Sequence, residues 1–162
     1  MTAAAHDISA RSRVRMLHPG DVAWGGAGDR FETLLGSCVA VVLADPRRSF
    51  GAMCHIVHAR APAGARQPSA AYTAGALASM YAMLRARGLN PSLCEAWVIG
   101  GGNMFPRLIA PGHVGDANVR SVLAALSDAG IRVLARDVGG STYRRVGWTV
   151  GGGAPEVAAV QV

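Results

Sequence analysis

The chain has 162 residues, enough for one domain with a real core, and its 51% hydrophobic and 16% charged content excludes a disordered protein. All 16 basic residues are Arg and the formal charge is +6, but the arginines are scattered and pair only at Arg47–Arg48 and Arg144–Arg145. That distribution describes a solvated basic surface and no nucleic-acid partner. No apolar run approaches the ~20 residues that cross a bilayer, the N-terminus lacks a secretory core, and three cysteines are no disulfide framework. A cytoplasmic protein that is not membrane-inserted is expected.

In chain order, residues 1–15 are small, polar and charged and read as a flexible tail, followed by one domain over residues 16–150. Residues 38–43 (CVAVVL) and 51–58 (GAMCHIVH) are short apolar, partly β-branched runs, hence strands. Between them Asp45 and Pro46 suit the first two positions of a type I turn. Residues 69–87 carry Tyr72, Ala76, Met80, Tyr81 and Leu84 at helical spacing, with Gly88 as the C-terminal stop. Residues 94–100 form another strand, and residues 116–129 a second helix with Val119, Val122, Leu123 and Leu126 on one face, ended by Gly130. Strands over 131–138 and 142–150 complete the domain, and residues 151–162, opening on Gly151–Gly153, read as a second flexible tail. The expected fold is α/β, a layered mixed β-sheet covered by helices.

The chemistry-bearing residues are Cys38 and His55. A turn at Asp45–Arg48, centred between Pro46 and Arg47, sets them directly opposite each other in the simplest hairpin register, with Cβ atoms ~4.5–5.5 Å apart. A thiol and an imidazole at that separation can exchange a proton. Gly36 favours a turn that presents the thiol at the start of a strand, so lowering the thiol pKa falls to His55 and not to a helix dipole. Cys54 faces away from His55 on its own strand and reads as core, as does Cys94. A metal site from Cys54, His55 and His58 is disfavoured, because neighbouring strand residues point to opposite faces. The run GGGNMF at 100–105 looks like a phosphate cradle but lacks the following helix and Lys-Ser/Thr, and reads as a bend packed close to the site.

The blocks TLLGSCVAVVLADP, GAMCHIVHA, WVIGGGNMF and GDANVRSVLAALSDAGIRVLARDVGGSTYRRV resemble the chemoreceptor glutamine deamidases of bacterial and archaeal chemotaxis, the CheD family, in family order over roughly residues 16–150. The resemblance implies a fold related to deamidating toxins. It also implies a Cys–His–Thr triad that converts receptor glutamines to glutamates: Cys38 as nucleophile, His55 as general base, Thr33 as the residue that orients the imidazole. It implies no metal and no organic cofactor, methyl-accepting chemoreceptors as substrate, and docking to a CheC-type phosphatase. The departures HIVHARAP and SAAYTAGAL bear on substrate or partner preference. Two rival readings stand beside this one: a non-catalytic adaptor that binds a CheC-type phosphatase, and another thiol acyl-transfer enzyme such as a protease, amidase or transglutaminase-like protein.

Overall fold

The computed structural model describes residues 13–65, 69–108 and 113–161. They form nine strands and two helices in chain order: β1 (Val14–Met16), β2 (Val22–Gly26), β3 (Arg30–Leu35), β4 (Val39–Ala44), β5 (Phe50–Ile56), α1 (Thr73–Ala86), β6 (Glu95–Gly100), α2 (Val114–Asp128), β7 (Arg132–Val138), β8 (Tyr143–Thr149) and β9 (Glu156–Val160). The strands make two mixed sheets, one of order β1-β3-β8-β9 and one of order β2-β5-β4-β6-β7. Pairing is antiparallel except for β1 with β3 and β6 with β7.

The α/β layering is as expected, with one sheet more. The reason is written in β4, where all six residues of VAVVLA are buried. Its side chains alternate between two cores, as the pleat requires. Val39, Val41 and Leu43 face α1 and α2, together with Ala52, Cys54 and Ile56 of β5. Ala40, Val42 and Ala44 face the other sheet, meeting Phe31, Leu35, Val146 and Trp148. The result is three layers, helices on sheet on sheet. Trp97 of the five-stranded sheet meets Trp148 of the four-stranded one in a tilted ring contact, centroids 6.5 Å apart, and Trp148 in turn contacts Phe31 of its own sheet at 6.2 Å.

Both expected tails need correction where they are described. Val14 and Arg15 belong to β1, which pairs with Arg30 and Phe31 of β3; residues 1–12 lie outside the described residues. At the other end, residues 156–160 are strand β9, paired antiparallel with Tyr143–Gly147 of β8. Val157 packs against the inter-sheet core, and a full ladder with β8 holds this otherwise mostly exposed segment despite the glycines before it.

Candidate active site

The hairpin β4–β5 carries the two principal residues, and its register differs from the expected one. The Asp45–Arg48 turn forms, with Arg48 N–H donating to Asp45 C=O at 2.8 Å. It is not the centre of the hairpin. The buried Asp45 carboxylate accepts from the backbone N–H groups of Arg47, Ser49 and Phe50 and from the Ser49 hydroxyl. These bonds lengthen the connection, the loop closes by Asp45 N–H to Phe50 C=O, and Arg48 takes the left-handed conformation at φ 54°. The centre moves to between Arg47 and Arg48, so His55 lies opposite Ala40. Cys38, one residue before β4, is therefore diagonal to His55 and not directly opposite. A shift of two residues keeps both on the same face of the sheet, with Cα atoms about 7–8 Å apart by ordinary strand geometry. Accordingly Cys38 packs against the inter-sheet core, while Cys54 lies in the core under the helices.

His55 is 3% exposed and Thr33 is 1% exposed. Thr33 sits on the inward face of β3, in the other sheet, and its Oγ1 lies 2.8 Å from His55 Nδ1. The same hydroxyl donates its proton to Leu17 C=O at 2.8 Å. A threonine hydroxyl has one proton, so toward the imidazole Oγ1 accepts and Nδ1 carries the hydrogen. The neutral ring then has its free lone pair on Nε2, the tautomer a general base needs. Among the described residues nothing hydrogen-bonds to Nε2. The main chain of His55 is fixed as well, its N–H on Asp21 C=O and its C=O receiving Gly20 N–H.

Both titratable groups favour their neutral forms. Burial pushes the Cys38 thiol above its ordinary value. Burial lowers His55 likewise; the negative charge of Asp21 opposes that shift and His18 adds to it. The resting pair is thus thiol and neutral imidazole, and no hydrogen bond joins them. Such contacts between a thiol and an imidazole commonly tighten only once a substrate is bound.

Cys38 is half-buried and opens on a cleft of about 520 Å³, bounded by residues 36–38, the loop 102–105, the start of α2 and Tyr143. That volume suits a side chain entering from outside. The rim is apolar, with Phe105 and Val114 exposed. The glycine run behind it acts as a brace. Gly101 N–H donates to Cys38 C=O and Gly102 N–H to Gly36 C=O, both at 2.9 Å, so these amides are not available to cradle a phosphate. Gly100 has φ 115°, and a Cβ there would strike the Cys38 carbonyl. Gly115, in the first turn of α2, lies equally close to the carbonyls of Gly101 and Gly102.

Two further residues support the site that the sequence reasoning did not single out. Asn118 of α2, completely buried, donates from Nδ2 to Ser37 C=O at 3.1 Å and to Val57 C=O at 2.9 Å. Arg144 of β8 is buried and binds Asp137 and Gly139 C=O; Gly140 C=O in the same loop receives Asn103 N–H beside the cleft. The one available signal was a polar amide in the middle of an apolar helix face; Arg144 stands beside Arg145 in β8 and is not set apart by its sequence. Of the other histidines, His58 makes a tilted ring contact with Tyr72 and does not line the cleft. His113 lines the cleft and caps α2 by accepting Gly115 N–H at its Nδ1.

Comparison with known proteins agrees with the resemblance of the sequence blocks. Residues 58–158 match the family model described as CheD chemotactic sensory transduction. The probable chemoreceptor glutamine deamidase CheD 2 of Albidiferax ferrireducens is 34% identical over 143 residues, spanning 85% of this chain and 82% of that protein. The probable chemoreceptor glutamine deamidase CheD 1 of Anaeromyxobacter dehalogenans is 36% identical, over 85% and 80% of the two chains. An archaeal relative of the same description, from Methanococcus vannielii, is 31% identical over 78% and 82%. Among solved structures, the hypothetical protein YfiH of Bacillus licheniformis is similar at a TM-score of 0.44 and 15% identity, over 78% of this chain and 59% of that one.

Proposed function

The chain belongs to the CheD family, and from that premise we propose that it is a protein-glutamine deamidase, hydrolysing glutamine side chains of chemoreceptors to glutamate in chemotaxis. The observation that carries the site assignment is the bond from His55 Nδ1 to Thr33, which leaves Nε2 as a base on the same sheet face as a half-buried thiol at a cleft. Cys38 is the nucleophile, His55 the general base, and Thr33 a positioning residue.

In this mechanism His55 Nε2 takes the thiol proton as Cys38 Sγ bonds to the carboxamide carbon. The carbonyl π electrons move to oxygen, and the backbone N–H of Cys38 holds the developing oxyanion, a type of contact worth ~3–4 kcal/mol. The intermediate collapses, imidazolium gives its proton to the departing nitrogen, and ammonia leaves a thioester. His55 then takes a proton from water as the oxygen attacks. Expulsion of the thiolate, reprotonated by His55, yields glutamate and free enzyme. The protons all pass through one imidazole.

No helix among the described residues is long and apolar enough to cross a membrane. In this reading the enzyme works in the cytoplasm on the cytoplasmic parts of its receptors, with a CheC-type phosphatase as regulatory partner. The test is ammonia release from receptor cytoplasmic fragments, with mass mapping of the converted residues, for wild type, Cys38→Ala and His55→Ala. Equal conversion by all three would sink the assignment. Peptide cleavage or amine incorporation in place of ammonia would move the chain to another class of thiol acyl transfer.

A further inference from the structure

We propose that Asn118 is a positioning residue for the oxyanion, holding the Ser37–Cys38 peptide so that the Cys38 N–H faces the reacting carbonyl. The inference rests on the thiol acyl-transfer reading above. Its basis is that Ser37 C=O and Cys38 N–H belong to one peptide unit. That unit is planar and trans, and among the described residues no peptide bond is cis, so the two groups point in opposite directions. Asn118 Nδ2 fixes the carbonyl end at 3.1 Å, and the N–H is thereby turned away from α2. Donation to the carbonyl also polarises the amide, which makes the N–H a better donor to a negative oxygen.

The second proton of the same nitrogen goes to Val57 C=O, two residues beyond the base. One side-chain amide therefore joins the nucleophile's peptide to the strand that carries His55. The position of Asn118 is itself tightly set: it is completely buried, one turn into α2, whose first turn abuts Gly101 and Gly102. Those glycines in turn hold Cys38 C=O and Gly36 C=O. Three consecutive carbonyls, of residues 36, 37 and 38, thus receive donors from outside their own loop, and the Asn118 bond is the one made by a side chain. Both donor hydrogens of the buried amide are spent on these two carbonyls, while its Oδ1 has no partner among the described residues, so the side chain is oriented by the Ser37 and Val57 carbonyls alone.

The experiment separates two reactions of the same sulfur. Acylation of Cys38 by p-nitrophenyl acetate passes through a tetrahedral oxyanion, whereas alkylation by iodoacetamide is a displacement with none. In Asn118→Ala and Asn118→Asp the expected result is an acylation burst slowed by about 10- to 100-fold, with the alkylation rate and its pH midpoint close to wild type. On a receptor fragment kcat should fall by a similar factor with KM little changed. Equal losses in acylation and alkylation would make Asn118 merely structural and overturn the inference. Unchanged acylation overturns it too. If wild type acylates normally but releases no ammonia from receptor fragments, the deamidase reading fails while the role of Asn118 stands.

Should neither variant fold, the wild type decides by NMR. The Asn118 side-chain protons should be protected from exchange, and the Cys38 amide proton should move downfield when a peptide aldehyde forms a hemithioacetal at the thiol. A Cys38 amide that does not respond overturns the proposal.

Discussion

Cys38 and His55 are held in different ways. The proposed base, His55, sits within a strand, buried, with Nδ1 bound across the sheets to Thr33 and its main chain bonded to Gly20 and Asp21. The proposed nucleophile, Cys38, sits one residue before a strand, half-buried, and is held through backbone carbonyls by Gly101, Gly102 and Asn118. His55 is fixed by side chain and main chain, Cys38 by its main chain alone, which leaves the sulfur free to meet a substrate and return. A proton carrier must keep its orientation through four transfers, while a nucleophile must change partners. The two modes of support fit those demands.

The comparison is broken most severely by removing either group. Cys38→Ala should abolish ammonia release, and His55→Ala should lower kcat by about 10²–10⁴-fold, both with near-native circular dichroism. Next comes the main-chain support. Gly100→Ala places a Cβ against the Cys38 carbonyl at φ 115° and should destabilise the fold by about 1–3 kcal/mol while displacing the thiol, read by urea unfolding and by loss of burst amplitude. Thr33→Val removes the acceptor for His55 Nδ1–H and leaves a buried donor unpaired, costing about 1–3 kcal/mol. Activity should fall with it, and Thr33→Ser should restore most of the loss because the hydroxyl is retained. Full activity in Thr33→Val would show that the hydroxyl is irrelevant.

The mildest probe is pH. Burial lowers His55, so its protonated form arises only below the ordinary imidazole value of about 6.5, and the acid limb of kcat/KM should lie on that acidic side. Burial raises Cys38, so alkylation of free enzyme should reach half its maximum above the ordinary thiol value of about 8.5. A thiolate already formed at neutral pH would contradict a resting pair of neutral groups.

Much of the five-stranded sheet was legible in the sequence, because β4, β5 and β6 are continuous apolar runs and both helices carry 3.6-residue spacing. The hairpin register was missed by two residues for a local reason: an aspartate that caps three backbone N–H groups makes a longer loop than the turn alone implies. The face survived the error, since the pleat has a period of two. Strand β1 was obscured by its short length, β2 by Gly25 and Gly26, β3 by its polar Arg30, Glu32 and Thr33, and β9 by the glycines before it. Thr33 could be named only by resemblance. Its partner lies in the other sheet, 22 residues away, and no spacing rule connects residues across a sandwich. Asn118 was hidden for a related reason, since its two acceptors are main-chain carbonyls that any sequence possesses.

The bond from Thr33 to His55 crosses the interface that Phe31, Trp97 and Trp148 close. Neither sheet alone holds His55 in the tautomer that the proposed mechanism uses. Activity is then a gauge of how well the two sheets are docked. On warming, or with Trp148 trimmed, turnover should decline while the strands themselves are still intact, and the enzyme should fall silent before it unfolds.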